Sequence, residues 1–199
     1  MSVMKEILAH NEMFTAEKRY EVFTTTKFPN KKLVILTCMD TRLLELLPQA
    51  LGLKNGDVKL IKNAGAIVSH PFDSVMRSIL VAFYELNAEE ICVIGHHECG
   101  MGSLQAEGFL EKTKQQGIPN EQINTLLNAG IDLKTWLTGF DCVKESVQSS
   151  VEVIQSHPLL PNDVPVHGMV IHPKTGKIDV IVNGYGNVDE SQRVEGMRY

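Results

Sequence analysis

The chain has 199 residues, 43% of them hydrophobic and 22% charged, which suits a soluble globular protein with one sizeable core. A formal net charge of −5 argues against the basic face that nucleic acid or an anionic membrane requires. No apolar run approaches the roughly 18 residues of a transmembrane helix, and the opening MSVMKEILAHNEMF lacks a signal peptide's apolar stretch and cleavage site, so a cytoplasmic protein is expected.

The first 23 residues read as helical, with Ile7, Leu8, Met13 and Phe14 at the apolar positions. Too few apolar partners follow locally to cover such a helix. This N-terminal arm, about residues 1–25, is therefore expected to pack on another subunit. KLVILT (32–37) reads as a strand and 42–51 as a short helix. VKLIK (58–62) is a second strand. A long amphipathic helix over 73–87 puts Val75, Ile79, Ala82, Phe83 and Leu86 on one face. EICVIG (90–95) is a third strand. These three strands are nearly unbroken apolar runs, as expected where both faces are covered. Residues 103–156 read as mostly helical, interrupted by QGIPN (116–120) and by Gly130. VHGMVIH (166–172) and IDVIVN (178–183) form the last two strands, joined by the tight turn PKTGK with Gly176 at its positive-φ position. That turn makes the final strand antiparallel, whereas the earlier strand–helix alternation implies right-handed crossovers and a parallel sheet. The predicted fold class is α/β: a central parallel sheet of about four strands, extended by an antiparallel edge strand and flanked by helices. It is expected to span 1–199 as a single domain.

Ligand sites in such sheets form at the carboxyl ends of the parallel strands. Three loops bring chemistry there: Cys38-Met39-Asp40-Thr41-Arg42, Asn63-Ala64-Gly65-Ala66 and His96-His97-Glu98-Cys99-Gly100. Of the four cysteines, Cys92 sits inside an apolar strand and reads as core packing, and Cys142 sits near a helix start and reads as inert. Cys38 and Cys99 lie in polar, glycine-rich contexts, where metal binding or catalysis is the better reading than a disulfide. A phosphatase loop needs five residues between cysteine and arginine. Here only three intervene, and Asp40 puts negative charge where the anion would sit. The glycines of GHHECGMG are wrongly spaced for a nucleotide loop. A metal fits better. His96-x-x-Cys99 places imidazole and thiolate on one turn, Cys38 arrives from a neighbouring strand end, and two sulfurs with a nitrogen suit zinc. Three protein ligands leave a position for water or substrate. The simpler alternative is that His96 and Cys99 only pack in a turn. Asp40 could orient a metal-bound water or take the fourth position itself, with Arg42 holding its carboxylate. Alternatively, Asp40 caps the following helix and Arg42 is a surface residue.

CMDTR, KNAGAIV and GHHECGM, in this order and spacing, resemble the β-class carbonic anhydrases, and within them the small prokaryotic branch without long insertions. The resemblance covers residues 30–105 strongly and the C-terminal hairpin loosely. It implies Cys38, His96 and Cys99 as ligands of one Zn²⁺ per chain, and Asp40 and Arg42 as a catalytic dyad. It further implies that Asn63, Ala64 and Gly65 line the substrate pocket and that Gly100 lets the backbone turn beside the metal. The implied reaction is reversible hydration of carbon dioxide to bicarbonate and a proton, by attack of zinc-bound hydroxide. The implied assembly is a homodimer or higher homo-oligomer whose N-terminal helices embrace the partner, with no nucleic-acid or membrane partner. Thr41 stands where serine is commoner in the family. The His-x-x-Cys spacing selects His96 over His97. His97 and, more loosely, His70 are candidate proton carriers, although an exposed His97 outside the metal's ligands fits as well. His10, His157, His167 and His172 read as structural or surface residues, His167 and His172 pointing to opposite faces of a strand. Two alternatives stay open: a related zinc hydrolase of carbon disulfide or carbonyl sulfide, and a zinc-binding protein without turnover.

Overall fold

The computed structural model describes residues 2–187. The apolar runs form strands β1 (Leu33–Cys38), β2 (Val58–Asn63), β3 (Glu90–His96), β4 (Val166–Ile171) and β5 (Ile178–Val182). They make one sheet in the order β2-β1-β3-β4-β5. β1 runs parallel to β2 and β3, β3 parallel to β4, and β5 closes the edge antiparallel to β4. The predicted α/β class, with its parallel sheet and antiparallel edge, is the fold observed.

The described residues form seven α-helices: α1 (Val3–Ala16), α2 (Leu43–Ala50), α3 (Ser74–Leu86), α4 (Ala106–Gln115), α5 (Asn120–Asn128), α6 (Leu133–Leu137) and α7 (Val143–Gln155). Alternation along β1 splits the core in two. Val34 and Leu36 pack with Met76 and Ile79 of α3 and with Val151 and Ile154 of α7. Ile35 packs with Leu43 and Leu47 of α2 on the other face, and Cys38 joins that cluster at the end of the strand. Burying both faces of β1 and β3 removes their apolar side chains from water, at roughly 25 cal/mol per Å². Gly95 brings α7 close to β3: a Cβ there would lie 2.7 Å from a Val147 methyl and 2.9 Å from one of Val143. Asp73 caps α3 by accepting from the Met76 N–H at 2.8 Å, and Asn87 ends the helix in the left-handed region at φ 58.

Three expectations change. β2 is not covered on both faces: it lies at the sheet edge, none of its residues is fully buried, and Leu60 is exposed. His172 falls just past β4, where its N–H donates to the Lys177 carbonyl and closes the turn, so the strand-face argument does not apply to it. The N-terminal helix breaks at Lys18, which is left-handed at φ 54, and a short 3-10 turn follows over Arg19–Phe23. Neither α1 nor that turn contains a buried residue. Gly176 takes the expected positive φ, at +71. Among the described residues, no helix is long and apolar enough to cross a membrane.

Candidate metal centre

β1 lies between β2 and β3, so their carboxyl ends stand side by side. Cys38 ends β1 opposite Asn63 of β2, and His96 ends β3. The turn after β3 then returns Cys99 toward Cys38. Cys38 and His96 are buried, Cys99 half-buried, and their ligand atoms all lie within 4.8 Å of one another. The two sulfurs are 3.9 Å apart. This is the only such grouping among the described residues.

The donor atoms fit a soft or borderline divalent ion. His96 Nδ1 lies 2.8 Å from the His97 carbonyl oxygen. A carbonyl only accepts, so Nδ1 carries the proton and Nε2 presents its lone pair. That Nε2 is buried without a hydrogen-bond partner. Leaving such an atom unsatisfied costs about 1–3 kcal/mol unless something binds it. Of the two sulfurs, Cys38 is the one prepared for charge. Cys38 is held down to about 4, foremost by the Cys99 thiol, then by the backbone N–H groups of Gly65 and Asp40, against the opposing effect of burial. Cys99 is pushed up, foremost by Cys38 beside it, while the Met101 N–H works the other way. Two sulfurs, one imidazole nitrogen and supporting N–H donors form the set that zinc favours.

Asp40 and Arg42 interlock beside this cluster. The Arg42 backbone N–H donates to Asp40 Oδ1 at 2.8 Å, Nε–H to the same oxygen at 3.0 Å, and Nη2–H to Oδ2 at 2.8 Å. The guanidinium holds the Asp40 carboxyl down at about 2. Asp40 Oδ2 also lies 3.8 Å from His96 Nε2. Asp40 therefore does not cap α2, which begins after Arg42; its carboxylate closes a local turn on Arg42 instead. Arg42 is exposed, as that alternative had it, but its guanidinium is engaged by Asp40 and Glu98.

The second loop supports the site from one side. The Asn63 side chain donates to the Ile67 carbonyl at 2.6 Å and accepts the Ile67 N–H at 3.2 Å, tying residues 63–67 into a loop. Gly65 (φ +84) and buried Ala66 (φ +59) are both left-handed there. A Cβ on Gly65 would press on Ile67 at 2.9 Å and Met101 at 3.1 Å. Asn63 thus shapes the loop, and Gly65 lends its N–H to Cys38. Gly100 has a different part from the one expected. A Cβ there would meet nothing within 4 Å, and the left-handed residue of the turn is Glu98, at φ +56.

Sequence reasoning missed Glu98, Lys174 and Met101. Glu98 sits inside the motif, but Lys174, which donates to Glu98 Oε1 at 2.7 Å, carries no local signal. His97 points toward Asp179, with Nε2 3.8 Å from its carboxylate. His70 is exposed and accepts the Phe72 N–H. His157 and His167 are buried and accept the N–H groups of Leu159 and Gly184, a structural use. Cys92 is buried in β3, and burial pushes its thiol up to about 12, so it stays a protonated core residue. Cys142 immediately precedes α7, half-buried.

Residues 33–178 match the family model described as carbonic anhydrase. The chain is 66% identical over 185 residues to the Bacillus subtilis protein named "Putative carbonic anhydrase YvdA", an alignment covering 93% of this chain and 94% of that one. It is 30% identical over 175 residues to a carbon disulfide hydrolase of Acidithiobacillus thiooxidans, covering 83% of this chain and 85% of that one. The crystal structure of β-carbonic anhydrase isoform I from Trichomonas vaginalis superposes with a TM-score of 0.85 at 34% identity, covering 93% of this chain and all of that one.

Proposed function

The chain belongs to the β-class carbonic anhydrase family, and on that premise we propose that it is a zinc-dependent lyase catalysing reversible hydration of carbon dioxide to bicarbonate and a proton. The observation that carries the reading is the convergence of Cys38, His96 and Cys99 beside an aspartate locked by arginine. Those three residues would hold one zinc ion per chain. Bound there, zinc supplies a Lewis acid that acidifies a coordinated water into a nucleophile near neutral pH.

The chain's own groups account for the rest. The N–H groups of Gly65, Asp40 and Met101 spread the charge of the two sulfurs. Asp40 is the acceptor that orients the nucleophile's lone pair toward carbon dioxide. A carboxylate oxygen accepts about two hydrogen bonds. Oδ1 already takes two from Arg42, whereas Oδ2 takes one and keeps a site free on the side facing His96. Because Arg42 engages both oxygens, Asp40 would serve as a hydrogen-bond acceptor rather than as a further ligand. The Asn63–Ile67 loop, with Ala64, Gly65 and Ala66, walls the substrate side.

Elemental analysis paired with stopped-flow carbon dioxide hydration at pH 7 and 8.5 tests the proposal. About one zinc per chain and activity at both pH values are expected. Zinc without turnover, or freshly purified protein without zinc, would refute it. A second reading, hydrolysis of carbon disulfide, draws on the Acidithiobacillus thiooxidans relative; hydrogen sulfide release from carbon disulfide by a protein inactive on carbon dioxide would establish it.

The bare α1 points to a second copy as its cover, with Ile7 and Leu8 each more than half exposed. Light scattering on an Ile7→Glu, Leu8→Glu variant should find a monomer where the parent is a dimer or larger. Four free cysteines suit a reducing, cytoplasmic setting.

A further inference from the structure

A guanidinium presents two edges that can each grip a pair of acceptors. In Arg42 the Nε/Nη2 edge faces Asp40. The Nη1/Nη2 edge faces Glu98: Nη2–H donates to the Glu98 backbone carbonyl at 3.0 Å, and Nη1–H to its Oε2 at 3.2 Å. Glu98 thus offers both its carbonyl and its carboxylate to the same group. Glu98 does so in a left-handed conformation, φ +56, which is uncommon for a non-glycine residue. Its remaining oxygen, Oε1, accepts from Lys174 Nζ at 2.7 Å. Lys174 comes from the turn between β4 and β5 and offsets the charge of Glu98, so that carboxylate does not draw Arg42 away from Asp40.

We propose that Glu98, anchored by Lys174, is a positioning residue: it fixes the plane of Arg42 and through it aims Asp40 at the reacting centre. The inference rests on the carbonic anhydrase reading above. Side-chain exposures of 38% for Arg42, 48% for Glu98 and 65% for Lys174 mean that these ion pairs add little to stability. Their effect lies in geometry. Without the Glu98 carboxylate, Arg42 keeps Asp40 and the backbone carbonyl of residue 98 but loses the bond at Nη1, so its plane, and with it Asp40, is held less firmly.

The test compares Glu98→Ala, Glu98→Gln and Lys174→Met, each with zinc counted, melting temperature measured and carbon dioxide hydration followed by stopped flow. Glu98→Ala should keep its zinc and its melting temperature, yet lose roughly tenfold in kcat/KM. Glu98→Gln retains an oxygen for Arg42 and should recover most of that loss. Lys174→Met should cost about threefold, and nothing further when combined with Glu98→Ala. In an Asp40→Asn background, Glu98→Ala should have no additional effect, because groups that act as a unit are not additive. The proposal is overturned if zinc-loaded Glu98→Ala matches the parent, or if it costs the same factor in the Asp40→Asn background. Should Glu98→Ala lose its zinc, Lys174→Met decides, since it lies outside the metal loop: parental activity there overturns the proposal. A zinc-loaded parent without hydration activity would instead sink the functional reading, and that result is separate from any of these.

Discussion

Replacing Asp40 with asparagine separates a catalytic carboxylate from a structural one. In the parent, three N–H groups of Arg42 converge on the two carboxylate oxygens at 2.8, 2.8 and 3.0 Å. Asparagine offers one oxygen and an NH₂ that meets another donor, so one prong of the pair and its charge are lost. The pair is partly open to water, with the Asp40 side chain 18% and that of Arg42 38% exposed. An ion pair so placed is worth about 0.5–1 kcal/mol. For a chain of this length that amounts to a fall of a few degrees in Tm, about 2–4 °C per kcal/mol. Cys38, His96 and Cys99 are untouched, so zinc content should stay near one per chain. The catalytic loss should be far larger. A positioned acceptor contributes about 10²–10⁴ in rate, or about 3–5 kcal/mol of transition-state stabilisation. The assay is stopped-flow hydration on protein of known zinc content, alongside thermal unfolding. The expected pattern is a collapse of kcat/KM with Tm and zinc nearly intact. Activity within threefold of the parent would show that Asp40 only shapes the turn.

Cys38→Ser should bring zinc below one per chain by elemental analysis, because an alkoxide is a far poorer ligand than a thiolate; full retention would remove Cys38 from the ligand set. Gly139→Ala should cost about 1–3 kcal/mol of unfolding free energy and so lower the urea midpoint, since a Cβ there would overlap the Met101 carbonyl oxygen at a point where the Phe140 N–H also bonds it. An unchanged midpoint would mean that the 101–104 segment yields freely. At the far end of β3, burial and Glu90 push the Tyr185 phenol up to about 12. A group with a raised folded pKa stabilises fully below its unfolded value, about 10, and loses that contribution as pH rises toward 12. Tyr185→Phe should therefore flatten the decline in unfolding free energy across that window, and an identical decline in both proteins would place the alkaline lability elsewhere. The same cluster acts with opposite sign in acid: His167, and then Tyr185, depress Glu90, so its contribution is present above its ordinary carboxylate range and is lost as pH falls below it.

What the sequence disclosed follows from what it encodes locally. β1 and β3 were legible because a strand buried on both faces must be apolar at every position, and Leu33–Cys38 and Glu90–His96 nearly are. The grouping of Cys38, His96 and Cys99, which could hold a metal, was legible because thiols and an imidazole at a strand end and in a tight turn serve few other purposes. Strand order was not. β2 mixes Val58, Leu60 and Ile61 with Lys59 and Lys62, and nothing in that pattern says which edge it occupies. The break of the N-terminal arm at Lys18 was hidden for a similar reason: lysine gives no sign of a left-handed residue.

The turn between His96 and Cys99 shows why local rules fail beside a reactive centre. Glycine tolerates positive φ at almost no cost, so a sequence reader gives the strained position to Gly100. The chain instead strains Glu98, two residues earlier, at a cost of about 1 kcal/mol or more. A glycine at that position would relieve the backbone but would bring no carboxylate to Arg42 and no acceptor to Lys174, 76 residues away. Strain at a charged residue with a relaxed glycine next door has a physical reason only if the side chain is needed where the strain puts it. That places Glu98 with Arg42 and Asp40 as one unit, and makes the β4–β5 turn, which the sequence read only as a hairpin, a support for the metal loop.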